Sequence, residues 1–341
     1  MDPAAVDAMS SLVFRDVPRA APTDVRRWAS ALSGRDRALV EAAAALRSGD
    51  PRRARDHLAG YENSALGGAL RVATYLAERN RFPGGRGAVL EEGDVEAFEE
   101  PPPPEPGGGG EALLTIAIGH VEAMGSTWRS IAGGAGATVL ERIRRLQADV
   151  AGTDAAWLVT GLTLIEADVQ RLAGDPAGAS ATLAGALAAC EATGDAPGAA
   201  ACLVMSGDWH AAPQSSPEVL GLSIDATTLA PGEPDLAAAA TAYESAQRHY
   251  EAGGNRLGLA TVALRTGYLD AAGGNAAAWL VAAAEAERLA GEAGDQWLAA
   301  LAAVHRSLAS VSAGGAADAD GLTARAGRLH DAGSRGWVRG L

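Results

Sequence analysis

Apolar residues recur three or four positions apart along most of this chain, which is the spacing that places side chains on one face of an α-helix. The pattern is clearest between residues 155 and 173, where one face carries Trp157, Leu158, Leu162, Ile165, Val169 and Leu172. Gly174-Asp175-Pro176 follows, a sequence typical of a helix end, a helix cap and a new first turn, in that order. The pattern therefore predicts a second helix that ends at Gly194-Asp195.

Similar segments continue on both sides of this helix pair. Downstream, helical patterns cover 235–255, 256–275, 276–295 and 296–314, and upstream they cover 23–50, 51–60 and 63–80. No convincing series of alternating β-branched strands occurs, and 220–228 is interpreted as a loop. These observations predict an all-α chain without significant β-sheet, in which antiparallel helix pairs stack as a right-handed α-solenoid.

Small residues lie where the two helices of the pair at 155–195 are expected to meet. Ala179 and Ala186-Leu187 belong to the second helix, and Gly174-Asp175 forms the turn. Small side chains at such positions let neighbouring helices approach closely. The arrangement resembles divergent tetratricopeptide (TPR) repeats, although the helices are a few residues longer than that family's repeat unit allows. The resemblance implies a stack of helix pairs with a concave groove, lined by the first helices, that binds a protein or peptide.

A second resemblance covers residues 206–269. This segment begins SGDWHAAPQSSPEVLGLSID and is similar to repeat segments found upstream of the CHAT domain in actinobacterial proteins. CHAT is a caspase-like cysteine-peptidase module that uses a His/Cys pair. The resemblance implies that the peptidase would lie outside this chain.

The segment 83–110 divides the chain. It combines an acidic run, four consecutive prolines and four consecutive glycines, a composition that opposes both helix and strand. We expect a disordered linker here, and the alternative is a docking motif for a polyproline-binding module. The linker would separate N-terminal helical repeats at 1–82 from repeats at 111–341, which carry an insertion near 209–234. The final segment, 322–341, starts another helical pattern and stops within it, which suggests a truncated array.

Charge and composition exclude several functions. All 28 basic residues are arginine, and with 42 acidic residues they give a net charge of −14. Without lysine the chain can form neither a Walker P-loop nor a Schiff base, and a pI near 4.9 argues against nucleic-acid binding. Neither a signal peptide nor a membrane-spanning apolar run is evident, so we expect a cytoplasmic protein that contacts no membrane. The bias toward alanine, glycine and arginine suggests a GC-rich, actinobacterial source.

Candidate catalytic and metal-binding residues are scattered. Cys190 and Cys202 make no disulfide framework, and in alanine-rich helices they are expected to fill the core. With His210 their spacings of twelve and eight do not match those of zinc sites. The glycine clusters at 84–87 and 133–136 do not complete a dinucleotide-binding motif. We therefore expect no catalytic residue, no metal and no cofactor.

Two features favour partner binding. The first is an excess of arginine between residues 26 and 55, which could bind an acidic peptide or the acidic tract at 91–105, with solvated helix faces as the alternative. The second is Asp208-Trp209-His210 at the start of the long insertion, whose tryptophan would either anchor that loop or mark a contact surface. The candidate residues are Arg26, Arg27, Arg52, Arg53 and Trp209.

The function expected from the sequence is a non-catalytic scaffold that binds a peptide, a protein or a neighbouring domain in its concave groove. The alternative is the sensory or regulatory arm of a larger CHAT-type peptidase or of a nucleotide-dependent switch protein. An enzyme within the helices would need convergent polar groups in a deep pocket, and no motif supports one. Self-association through exposed helical ends is a further alternative.

Overall fold

A computed structural model describes residues 22–48, 50–61, 156–172, 174–211, 233–293 and 296–315, together with a few single positions between 8 and 17, 66 and 74, and 140 and 148, and at 321. Within these residues the chain is helical and contains no strand, which confirms the all-α prediction. The linker at 83–110, most of the insertion at 209–234 and the segment 322–341 lie outside the described residues.

Ten helices are defined in the described part of the chain. They are α1 (Pro22–Ala31), α2 (Gly34–Arg47), α3 (Pro51–Leu58), α4 (Ala156–Leu172), α5 (Pro176–Thr193), α6 (Ala196–Ala211), α7 (Leu236–Gly253), α8 (Arg256–Ala272), α9 (Ala276–Glu292) and α10 (Gln296–Ser312). The described residues up to 202 belong to one compact unit, and those from 203 onward belong to a second.

Helix junctions form at the predicted glycine breaks. Gly194 ends α5 with φ 70°, a left-handed conformation that glycine adopts without a steric penalty. Asp195 then caps α6, because its Oδ1 accepts a hydrogen bond from the Gly198 amide at 3.0 Å. At the other end of α5, Oδ1 of Asp175 accepts from the Gly178 amide at 2.8 Å. The predicted turns on both sides of α5 are therefore confirmed.

The junction between α7 and α8 is built in the same way. Gly254 ends α7 with φ 64°, and Oδ1 of Asn255 accepts a hydrogen bond from the Gly258 amide at 2.8 Å. The start of α7 has its own cap, since Oδ1 of Asp235 accepts from the Ala238 amide at 2.9 Å. Short polar caps thus satisfy the first free amides of successive helices.

The unit up to residue 202 has an aliphatic core. Helix α1 packs on α2, α2 packs on α3, and α4 packs on α5. Leu39, Leu58, Ile143 and Leu162 belong to one cluster and are at most 1 % exposed. Burial of such leucine and isoleucine side chains contributes about 1.5–3 kcal/mol each relative to exposure.

In the unit from residue 203 onward, helices pack on their neighbours in sequence. Helix α8 contacts α7 and α9, α9 contacts α10, and α8 also contacts α10. Alanines line these contacts, and Ala260, Ala286, Ala290 and Ala302 are completely buried. Small side chains allow helix axes to approach closely, which favours alanine at these buried positions.

Gly207 of α6 provides a test of this close approach. A Cβ built on Gly207 would lie 2.6 Å from Cδ1 of Tyr243 in α7, and the tyrosine ring is 1 % exposed. We expect Gly207→Ala to lower the free energy of unfolding by about 1 kcal/mol net, since the overpacking penalty exceeds the gain in helix propensity. Chemical denaturation measures the change.

The matched control is Gly291→Ala in the last turn of α9, where an added Cβ would meet nothing within 4 Å. That variant is expected to gain about 0.5 kcal/mol from reduced backbone freedom in the unfolded chain. If both substitutions changed the free energy of unfolding in the same direction, that result would contradict the close packing of α6 against α7.

Candidate functional site

A buried polar cluster joins three helices in the unit from residue 203 onward. Asp208 of α6 is completely buried, and its carboxylate accepts three hydrogen bonds. Arg265 of α8 donates two of them as a bidentate pair, Nε to Oδ1 at 2.6 Å and Nη2 to Oδ2 at 3.0 Å. Tyr243 of α7 donates the third, from its hydroxyl to Oδ1 at 2.7 Å. One carboxylate therefore ties three consecutive helices together.

Burial and charge act in opposite directions on this cluster. Burial alone would lower the pKa of Arg265, but attraction and hydrogen bonding from Asp208 outweigh it and raise that pKa above its ordinary value. Burial, together with the negative charge of Asp208, raises the pKa of Tyr243, so its phenol stays protonated. Both carboxylate oxygens are occupied, and the Arg265 side chain is only 11 % exposed. The arrangement supports the fold and leaves no free carboxylate oxygen for acid–base chemistry.

The predicted contact residue Trp209 lies directly beside this cluster. It is half-buried in the last turn of α6. The two ends of the insertion meet here, because the Asp235 amide donates a hydrogen bond to the His210 carbonyl at 2.9 Å. The insertion therefore leaves and re-enters the fold at one point. Whether Trp209 anchors it or marks a contact surface stays a prediction, since residues 212–232 lie outside the described part of the chain.

The N-terminal arginine candidates lie on two helices that each pack on α2. Arg26 and Arg27 are exposed on α1, and Nη2 of Arg27 lies 3.0 Å from Oδ1 of Asp24. Arg53 is exposed on α3, and the side chain of Arg52 lies outside the described residues. The structure thus exposes three of the four candidate arginines, and an acidic neighbour already engages one of them.

Further polar contacts link α2 and α3 beside Arg53. Nε of Arg53 donates to Nε2 of His57 at 3.3 Å, and Nδ1 of His57 lies 3.3 Å from Oε2 of Glu41. Arg37 donates to the other oxygen of Glu41 at 2.9 Å. Exposed pairs of this kind contribute little to stability, about 0–1 kcal/mol each. They do, however, reduce the positive charge that this face presents to a partner.

Both cysteines are buried, which confirms the prediction that they lie in the core. Cys190 of α5 is 3 % exposed and Cys202 of α6 is 1 % exposed. Within the described ranges, no group of three or more His, Cys, Asp or Glu side chains is placed to hold a metal ion.

A half-buried histidine lies in the unit from residue 203 onward. His305 of α10 packs edge to face with Trp279 of α9, with ring centroids 6.0 Å apart and an interplanar angle of 79°. Its Nδ1 is buried without a hydrogen-bond partner among the described residues. Burial lowers the pKa of His305 to about 4, so the imidazole is neutral near pH 7 and packs as an aromatic ring.

Sequence reasoning singled out Asp208-Trp209-His210 but did not predict the buried ion pair of Asp208 with Arg265. Arg265 and Asp208 each interrupt a largely apolar stretch, LGLATVALRTGYL and AAACLVMSGDWH respectively. A lone charge within an apolar face is the signal that could have indicated a buried ion pair, because such a charge is tolerated there only with a partner.

Comparison with known proteins adds no assignment. No family model matches this chain, and no significant match is found among curated proteins or among solved structures. The resemblances to TPR repeats and to CHAT-associated segments therefore stay predictions. None of the helices in the described ranges is long and apolar enough to cross a membrane.

Proposed function

We propose that this chain is a non-catalytic interaction scaffold, built as an α-solenoid of divergent TPR-like helix pairs, that binds a protein or peptide. The observation that carries the proposal is the contact pattern of α8, which packs on α7, α9 and α10. In a stack of antiparallel helix pairs, the first helix of each pair packs on the second helix of the same pair and on the first helix of the next pair. If α4 and α5 form one pair, α8 and α10 are both first helices, and their mutual contact fits this scheme.

The proposed binding surface includes the outward stripe of α8. Leu259, Ala263, Thr266 and Asp270 follow one another at spacings of four, three and four, and each is half-buried or exposed. Leu259 and Ala263 pack at the edge of the core cluster, whereas Thr266 is exposed. In a solenoid such stripes of successive first helices form one extended surface, which holds a segment through distributed contacts.

Partner capture with the full chain tests this surface. The chain is used to isolate a partner from extracts of its source organism, and the affinity of that purified partner is then measured. We expect Thr266→Arg with Asp270→Arg to weaken binding by about tenfold or more, as interface substitutions that introduce charge and bulk commonly do. The matched control is Thr241→Arg with Glu244→Arg on α7, where both residues are exposed, and it should bind like the unmodified chain.

The same purified partner tests the arginine candidates. Arg26→Glu with Arg53→Glu changes the net charge by −4, as does the control Arg145→Glu with Arg248→Glu, and all four arginines are exposed. If only Arg26→Glu with Arg53→Glu lost binding, the partner would contact α1 and α3. If the two double variants bound with equal affinity, the N-terminal arginines would not belong to the binding surface. A chain that binds no protein with a defined stoichiometry would contradict the scaffold function itself.

A further inference from the structure

Two thiols meet at the junction between α5 and α6. Cys190 lies in the last turn of α5 and Cys202 lies in the second turn of α6, and only Gly194-Asp195 separates the two helices. The two thiols lie close enough for each to shift the pKa of the other. They are the only two cysteines of the chain, and neither forms a disulfide.

The packing of Gly198 places the Cys190 thiol against α6. A Cβ built on Gly198 would lie 2.8 Å from Sγ of Cys190, so the Cys190 thiol rests against the backbone of α6 at this glycine. Gly198 and Cys202 are four residues apart and therefore share one face of α6. The Cys190 thiol consequently lies on the face that carries Cys202.

The corresponding junction in the second unit shows that the helix turn does not require a thiol pair. There, a Cβ built on Gly258 would meet the ring of Tyr250. Gly258 is the third residue of α8, as Gly198 is of α6, and the position that corresponds to Cys202 is Val262. The same backbone arrangement is therefore built with a tyrosine and a valine in one place and with two cysteines in the other.

The surroundings distinguish the two thiols. The interaction with Cys202 lowers the pKa of Cys190, and Thr160 adds to this effect with Oγ1 at 3.4 Å from Sγ. Burial and Asp195, whose Oδ2 lies 3.8 Å from Sγ of Cys190, oppose it. The same interaction between the thiols, together with burial, raises the pKa of Cys202. Cys190 is thus the thiol that ionises first and attacks.

We propose that Cys190 and Cys202 are a reversible dithiol–disulfide site that reacts by exchange with a low-molecular-weight disulfide such as oxidised glutathione. The Cys190 thiolate attacks one sulfur of glutathione disulfide, which forms a mixed disulfide and releases one glutathione thiolate that takes up a proton. Cys202 then loses its proton and attacks Sγ of Cys190, which releases the second glutathione. One glutathione disulfide is reduced to two glutathione molecules, and one dithiol is oxidised to one disulfide. Because both thiols are buried, the first attack requires opening of the last turn of α5.

Equilibration of the full chain in glutathione redox buffers at pH 7.5 tests the proposal. After acid quenching and alkylation, the chain is cleaved after Glu191, which lies between the two cysteines. An intrachain disulfide then keeps the two peptides joined until it is reduced. We expect one intrachain disulfide. The effective concentration of one thiol toward the other should be at least about tenfold higher in the native chain than in 6 M guanidinium, because the fold holds the thiols together. An equal or lower value in the native chain, or bridges only between chains, would overturn the proposal.

Single variants test the order of attack. Cys202→Ser should accumulate a stable mixed disulfide of Cys190 with one glutathione, whereas Cys190→Ser should keep Cys202 largely as a free thiol under the same conditions. Thr160→Val should slow the reaction of Cys190 several-fold, since it removes a hydrogen-bond donor to the thiolate. Equal glutathione incorporation at both cysteines would contradict the assignment of Cys190 as the attacking thiol.

Discussion

Asp208→Ala is expected to lower the free energy of unfolding by about 3–5 kcal/mol, the largest effect of any substitution considered for this chain. The substitution leaves the Arg265 guanidinium buried without its carboxylate, and it removes the acceptor of the Tyr243 hydroxyl. Most of the loss is the penalty for burying an unpaired charge, and only a small part is the net value of the ion pair. Denaturant titration followed by circular dichroism measures it.

Three control variants separate these contributions. Tyr243→Phe removes one hydrogen bond and should cost about 1 kcal/mol. Asp235→Ala removes an exposed helix cap and should also cost about 1 kcal/mol. Asp208→Leu with Arg265→Met removes both charges, and it should recover most of the stability that Asp208→Ala loses. If Asp208→Ala is no more destabilising than Asp235→Ala, the buried cluster does not hold these helices together.

Stability is also expected to fall as the pH is lowered from 7.5 to 5, and His305 accounts for part of that loss. Its folded-state pKa of about 4 is below the ordinary histidine value of about 6.5. The unfolded chain therefore binds a proton at this residue before the folded chain does, and the stabilising effect of the neutral ring is lost as the pH falls below 6.5. The shift corresponds to about 2 kcal/mol between pH 7.5 and pH 5.

His305→Phe provides the control for this pH dependence. Phenylalanine keeps an aromatic ring against Trp279 and does not titrate. The unmodified chain should lose about 2 kcal/mol more than this variant between pH 7.5 and pH 5, as measured by denaturation at each pH. Parallel pH profiles for the two chains would show that His305 is not a buried neutral group.

The helix junctions could be predicted from the sequence because their signals are local. At Gly194-Asp195 and Gly254-Asn255 the left-handed glycine and the side-chain cap act within four residues of one another. The apolar spacing of α4 through α10 is likewise a property of consecutive residues. Element type was therefore accessible from the sequence without knowledge of the tertiary contacts.

The buried cluster was not accessible in this way. Asp208 and Arg265 are 57 residues apart, and their pairing depends on how α6 and α8 are placed. The sequence shows only that each charge lies within an apolar stretch. The proposed partnership of Cys190 and Cys202 could not be predicted for a similar reason, since a spacing of twelve residues acquires meaning only when a turn folds two helices against each other.

Burial also changed the interpretation of single residues. A lone histidine in the sequence fits a helix face or a packing position, and the packing of His305 against Trp279 makes it a neutral, half-buried ring. Conversely, the excess of arginine between residues 26 and 55 suggested a positive surface, and the ion pair of Arg27 with Asp24 reduces its charge. Side-chain partners of this kind depend on rotamers and on neighbouring helices, which composition does not specify.

Hydrogen exchange of the Gly207→Ala chain tests most directly whether these helices depend on their neighbours in sequence. If stability is transmitted from helix to neighbouring helix, amides in α6, α7 and α8 should exchange about fivefold faster than in the unmodified chain, while those of α10 should be unchanged. An equal acceleration in all helices from α7 to α10 would show one cooperative core, and it would contradict the proposed solenoid.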